Sequence, residues 1–219
     1  MSAPHFTPFN PWEEIDVTRR RLPHWQQSDA TYFVTFRLGD SIPQEKLALW
    51  KAEREQWLGT HPEPWDETTV AEYSRLFPGR RQQWLDNGYG SRLLRKAETA
   101  DIVRSALKYF DGERYRLDAF VLMPNHVHVL VKLLGEHGLS SILHSWKSYT
   151  AKQINRANGT SGSVWQDESY DHIVRSAAQL NFFRTYIREN PAKAGLDTIQ
   201  AECGTGVPSA EVSQMPREA

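Results

Sequence analysis

Apolar and polar positions along the chain follow a few clear periods. Thr31-Tyr32-Phe33-Val34-Thr35-Phe36-Arg37-Leu38 is β-branched and aromatic and is followed by Gly39-Asp40, which predicts a strand and a turn. Residues 44–58 set Leu47, Trp50, Ala52 and Trp57 among charges and predict an amphipathic helix, broken at His61-Pro62-Glu63-Pro64. A second helical stretch runs through Val70 to Phe77 and ends near Pro78-Gly79. In residues 98–110 the stripe Ile102, Val103, Ala106, Leu107 and Phe110 predicts a third helix, stopped by Asp111-Gly112. The longest apolar run, Tyr115 to Leu134, is divided by Met123-Pro124-Asn125 into strands of about 115–122 and 126–133. A hairpin fits that division, and so does a bent strand pair with Pro124 at a bulge. Helices over 139–157 and from about Ser176 to Asn190 follow, the second ended by Pro191. Asn158-Gly159-Thr160-Ser161-Gly162-Ser163 between them is a flexible loop.

The two ends differ from this body. Residues 1–30 read as an arm, because Pro4, Pro8, Pro11 and Pro23 interrupt any helix. Arg19, Arg20 and Arg21 make a basic cluster there, either a phosphate contact or a solvated stretch. Residues 197–219 lack periodicity and predict a disordered tail. Strand, helices, two strands, then two helices predict an α+β fold with helices on an antiparallel sheet. The organisation expected is an arm at 1–30, a catalytic domain at 31–196 with a helical insertion at about 40–95, and the tail.

Composition narrows the class. With 219 residues, 39% apolar and 24% charged, the chain suits an ordinary globular core. It contains no run of eighteen apolar residues, so no membrane span is expected. Its first residues lack the pattern of a secretory signal. Cys203 is the single cysteine, which excludes an internal disulfide and a cysteine-based zinc site, and a cytoplasmic home is expected. The net charge of -1 hides an uneven distribution. Residues 79–196 carry 17 Lys and Arg against 11 Asp and Glu, while residues 1–78 carry 8 against 12. A basic body can bind phosphate within a near-neutral chain.

Candidate chemistry centres on His126-Val127-His128. Residues two apart on a strand share a face, so the imidazoles project side by side while Val127, Val129 and Val131 face a core. Such a pair can share a divalent metal, or it can be two half-exposed histidines on a wet sheet face. On the last helix Leu180, Phe183 and Ile187 have the spacing of a buried stripe, with Phe182, Tyr186 and Asn190 on the adjacent one. Tyr186 is then a candidate nucleophile, and Asn190 a neutral oxygen ligand. A phenol with a pKa of about 10 is a poor nucleophile at neutral pH and needs a cation that draws charge from the phosphate, here Mg2+ or Mn2+. Tyr149 is a rival on an earlier helix. Lys147, Lys152 and Arg156 recur on that helix and either follow a DNA backbone or form a solvated face. Trp50, Trp57, Trp65 and Trp84 either stack bases or pack an added helical layer. Trp165 and Gln166 are expected to anchor the chain after the Ser-Gly loop, and His172 to be a satisfied surface histidine or, alternatively, a partner behind the metal ligands.

The stretch Val121-Leu122-Met123-Pro124-Asn125-His126-Val127-His128-Val129-Leu130-Val131 resembles the signature of the HUH single-strand transposases that use one tyrosine. Four further blocks sharpen the resemblance to the REP-associated tyrosine transposases. They are Arg21-Leu22-Pro23-His24-Trp25, Tyr32 to Leu38, His144-Ser145-Trp146-Lys147-Ser148-Tyr149-Thr150, and Tyr186-Ile187-Arg188-Glu189-Asn190-Pro191. The similarity spans roughly residues 20–196. It implies a ferredoxin-like sheet bearing His126 and His128, a nucleophilic tyrosine at Tyr186, and Asn190 as third metal ligand one turn later. It also implies cleavage of single-stranded DNA beside imperfect palindromic hairpins, REP-like in kind, with a 5′-phosphotyrosine and a free 3′-hydroxyl. A nucleoid-associated protein follows, monomer or homodimer. Two alternatives stay open: a domesticated hairpin-DNA binder without turnover, and an RNA-binding ferredoxin-like domain.

Overall fold

The structure is a computed structural model and describes residues 6–9, 16–19, 23–62, 64–193 and 201–203. Arg20 and Arg21 lie outside the described residues, as does the side chain of Arg19. In chain order the elements begin with strands β1 (Asp16–Arg19), β2 (Pro23–Gln26) and β3 (Thr31–Arg37). Helices α1 (Gln44–Thr60), α2 (Glu67–Ser74), α3 (Arg80–Asp86) and α4 (Ala97–Tyr109) come next. Then follow β4 (Tyr115–Met123), β5 (His126–Leu133), α5 (Leu139–Asn158), β6 (Tyr170–Ile173), α6 (Ala177–Lys193) and β7 (Ala201–Cys203).

The main sheet has the order β6-β3-β5-β4-β7, with every neighbour antiparallel. Its first four strands have the ferredoxin-like arrangement, in which the β4–β5 hairpin places β5 beside β3 and β6 closes the other edge. The fold is therefore α+β with helices on an antiparallel sheet. Both faces are covered. Tyr32, Val34, Phe36, Val127, Val129 and Val131 meet Val103 and Leu107 of α4 and Ile142, Trp146 and Ile154 of α5 in one core. Phe33, Leu130, Val121 and Met123 meet Leu180 and Ile187 of α6 in the other. Double coverage explains why β3 is buried along its whole length, with Thr31, Thr35 and Arg37 as well hidden as Tyr32, Val34 and Phe36.

A bulge between Leu117 and Ala119 shifts the register of β4 against β5. Tyr115 and Leu117 before it share a core with Phe120 and Leu122 after it, so the extra residue preserves the burial of both halves. Asp118 in the bulge accepts from Arg184 Nε of α6 at 2.8 Å, and this ion pair ties the helix to the sheet.

The structure departs from the sequence expectations in several places. The arm contains a hairpin, β1–β2, where its prolines predicted only interruption; Pro23 stands at the first residue of a strand, a position where the ring is tolerated. The second helical stretch is longer than Val70 to Phe77, running from α2 through a π-helical turn, Arg75–Gly79, into α3. The last helix continues past Asn190 to Lys193, because Pro191 stands so near the end that few later turns depend on its missing N–H. The short strands β6 and β7 were not expected. β7 pairs with β4 inside the stretch read as a disordered tail. Pro124 and Asn125 form a two-residue turn between β4 and β5, so the hairpin reading of that run is the one observed.

The segment between β3 and α4, read in the sequence as an insertion, carries a layer of aromatic rings. Trp57 stacks on His61 with centroids 4.0 Å apart and meets Trp65, Tyr73 and Phe77. Trp50 Nε1 donates to Phe77 O at 3.2 Å. The layer closes on the β3–α1 turn at Gly90, where a Cβ would stand 2.5 Å from Asp40 O and φ is +88. Only glycine fits that approach.

Candidate active site

His126 and His128 are fully buried on the sheet face that α6 covers, which removes the reading of two half-exposed histidines on a wet face. Their Nε2 atoms stand 3.0 Å apart. Each Nδ1 has a partner: Asn125 Oδ1 at 2.8 Å from His126, and Thr35 Oγ1 at 2.7 Å from His128. Asn125 is itself held, since its Nδ2 donates to Tyr89 O at 3.0 Å and its backbone O accepts from Leu38 N at 2.8 Å.

These bonds fix one tautomer and leave the other free. Because the Asn125 amide nitrogen is turned to Tyr89 O, its oxygen faces His126, so His126 Nδ1 carries the proton and Nε2 presents a lone pair. The Thr35 hydroxyl can donate or accept. When it donates, His128 Nε2–H closes a hydrogen bond to His126 Nε2. When it accepts, both Nε2 lone pairs converge on one point, the arrangement a shared cation requires. Both protonation patterns fit the same heavy-atom positions.

Burial, then the Arg37 charge, pushes His126 down to about 3. Burial, then His126, pushes His128 well below the usual imidazole range. Both rings are therefore neutral at pH 7, the state in which imidazole binds a metal. The same depression makes stability depend on pH. The unfolded chain takes up protons below the ordinary value of 6.5 that the folded chain refuses, so stability falls as pH drops through that value. For His126 the loss is expected to approach about 1.4 kcal/mol per pH unit between 6.5 and 5. Urea unfolding of the metal-free protein at pH 7 and pH 5 reads it, and His126→Gln should reduce the dependence to the part that His128 contributes.

Helix α6 brings in the remaining candidates. Phe183 stacks on Phe33 at 4.3 Å, and Phe33 stacks on the His128 ring at 5.4 Å. Half-buried Tyr186 sets its ring edge-on to His128 at 5.2 Å and to Phe33 at 5.8 Å. Asn190, one turn later, is 3% exposed, and its Oδ1 has no hydrogen-bond partner. An amide oxygen buried without a partner is costly, so it marks a place for a cation or a donor. The donor set, two neutral imidazoles and an amide oxygen, fits a divalent metal with positions left open. Among the described residues no three His, Cys, Asp or Glu side chains are grouped to hold a metal ion.

The structure separates the other sequence candidates from this site. Tyr149 is 53% exposed on α5, whose buried residues belong to the opposite face of the sheet. Lys147, Lys152 and Arg156 share that helix. Lys147 Nζ donates to Asp167 O at 2.8 Å and to Ser169 Oγ at 2.9 Å, holding the loop after α5, while Lys152 and Arg156 are exposed. Trp165 is buried with Nε1 on Thr150 Oγ1, and Gln166 N donates to Arg37 O. His172 pairs with Gln179. Thr35, Asn125 and Tyr89 were not singled out in the sequence. The signal available was two polar positions, Thr35 and Asn125, set in otherwise apolar runs.

Residues 87–190, which contain both histidines, Tyr186 and Asn190, match the family model described as transposase IS200 like. The match spans just under half of the chain, and over that stretch the chain is similar to the IS200-like transposases. No curated protein matches the chain. Among solved structures, a REP-associated tyrosine transposase bound to a REP hairpin is similar at 20% identity and a TM-score of 0.48, covering 83% of this chain and 76% of that one. A candidate transposase from Deinococcus radiodurans R1 is similar at 15% identity and a TM-score of 0.35, covering 79% of this chain and 97% of that one. No helix among the described residues of this chain is long and apolar enough to cross a membrane.

Proposed function

We propose that this protein nicks and rejoins single-stranded DNA next to REP-like palindromic hairpins, with Tyr186 as nucleophile. The observation that carries the proposal is the Tyr186 ring set against His128, whose Nε2 stands beside that of His126, with the partnerless Asn190 oxygen one helical turn after Tyr186 on α6. The family match supports DNA as substrate, and the basic central segment agrees with it. The hairpin preference rests on the resemblance of the sequence blocks described above.

In the forward step Tyr186 Oη attacks phosphorus and loses its proton to solvent. The bond from phosphorus to the 3′ oxygen breaks, and that oxygen takes up a proton to leave a free 3′-hydroxyl. The product is a 5′-phosphotyrosine, which stores the energy of the cleaved bond. In the reverse step a 3′-hydroxyl attacks the same phosphorus, and Tyr186 leaves as a phenol. A Mg2+ or Mn2+ ion held by His126 Nε2, His128 Nε2 and Asn190 Oδ1 would supply charge neutralisation at the phosphate. The protein orients the two imidazoles through Asn125 and Thr35, and it holds Tyr186 through its packing on Phe33 and His128.

A labelled hairpin oligonucleotide incubated with the protein and Mg2+ or Mn2+ tests this reading. A covalent protein–DNA adduct is the expected result. Binding without any adduct across a broad panel of hairpins would leave a DNA binder without turnover.

A further inference from the structure

Arg37 lies on the histidine face, and the reaction above does not use it. It ends β3 on the same side as Thr35 and Phe33, and its Cα partner in β5 is His126. The side chain is 3% exposed. One amino group, Nη1, donates to Ser41 Oγ at 2.9 Å, while Nε is buried with no partner. No carboxylate is paired with it among the described residues. Its charge reaches His126, as the lowered histidine shows.

A second guanidinium stands close by. Arg81, half-buried on α3 of the insertion, repels Arg37, which burial and that repulsion together lower to about 10. Arg37 is still charged at neutral pH. Glu168, in the loop after α5, offsets Arg81 in part. A buried cation without a counter-ion is expensive, and a second cation nearby adds to the cost. Strongly perturbed buried charges concentrate at functional sites, and an anion is the ligand that would offset this one.

We infer that Arg37, with the charge of Arg81 supporting it, forms a phosphate subsite beside the histidine pair, which takes a non-bridging oxygen pair of the DNA backbone at or next to the cleaved position. The inference rests on the DNA-cleaving reading and adds a role for the insertion, which delivers Arg81. A planar guanidinium with a free Nε edge matches two phosphate oxygens, whereas lysine at the same place offers a point charge.

The test is binding of single-stranded hairpin DNA by the full chain in EDTA, where no cleavage interferes, with methylphosphonate replacing one phosphate at a time. At one position near the hairpin the neutral linkage is expected to weaken wild-type binding about tenfold or more. Arg37→Met should weaken binding of the all-phosphate strand by a similar factor and lose its sensitivity to that one methylphosphonate. Arg81→Ala should behave alike with a smaller loss. Because Met removes an unpaired buried charge, the Tm of Arg37→Met is expected to hold or rise. Methylphosphonate penalties equal in wild type and both variants would overturn the inference, as would a lower Tm with unchanged binding. If Arg37→Met does not fold, the same comparison with Arg81→Ala decides. An adduct from wild type without this coupling sinks the subsite alone, and coupling without an adduct sinks the cleavage reading alone. Failure of wild type to bind the hairpin sinks both.

Discussion

Replacing Tyr186 with phenylalanine is expected to lower strand cleavage on the order of 10⁴-fold or more and to abolish covalent capture of DNA, while hairpin binding stays within about twofold. The substitution removes only the hydroxyl. The ring contacts with His128 at 5.2 Å and Phe33 at 5.8 Å are kept, so helix α6 should stay seated and the fold unchanged. What is lost is the proposed nucleophile; the other hydroxyl against the pair, Thr35 Oγ1, is bonded to His128 Nδ1, on the ring nitrogen away from the facing Nε2 atoms. Tyr149→Phe is the matching control. That residue is 53% exposed on α5, across the sheet from His126 and His128, and its replacement should leave cleavage unaltered. Gel assays of cleavage and adduct, run beside fluorescence anisotropy, separate the two variants.

His128→Ala is expected to have the second-largest effect, a fall in cleavage of about 10³-fold together with weaker Mn2+ binding. Its origin differs from that of the tyrosine variant. The imidazole touches Thr35 Oγ1, the His126 Nε2, and the rings of Phe33 and Tyr186, so its removal opens a cavity beneath α6 and leaves the Thr35 hydroxyl without its partner. A stability loss of about 2–4 kcal/mol follows from cavity formation and the stranded hydroxyl. Cleavage must therefore be measured well below the variant's midpoint. Mn2+ titration followed by electron paramagnetic resonance reads the ligand role independently of turnover. Weakened metal binding in a folded variant is the expected outcome; unchanged Mn2+ binding would remove His128 from the ligand set.

The strand period was enough to place His126 and His128 on one face and the three valines on the other. The spacing of Leu180 and Ile187 likewise foretold the buried side of α6. Burial of the histidine pair could not be read this way, because the strand pattern does not say which helix covers which face. That is set by topology, through α6 crossing the face opposite to α4 and α5. The same fact separates Tyr149 from Tyr186, which sequence spacing alone left as rivals. Prolines were read as breakers, and they misled where position matters more than presence: Pro23 opens a strand and Pro191 stands within the last turn of a helix. The strands β6 and β7 have four and three residues, too few for any alternation to stand out. The partners of the histidines were hidden for another reason. Thr35, Asn125 and Tyr89 come from three separate segments and meet only in the folded chain.

The central claim is that Tyr186 carries the DNA covalently, and locating the adduct tests it most directly. The wild-type protein would be trapped with a 5′-extended hairpin oligonucleotide in Mg2+ or Mn2+, digested with nuclease and protease, and its nucleotide-bearing peptide sequenced by mass spectrometry. The account predicts one modified peptide, with the phosphate on Tyr186. Modification of Tyr149 or of any other residue, or cleavage of the strand with no modified peptide, would contradict it.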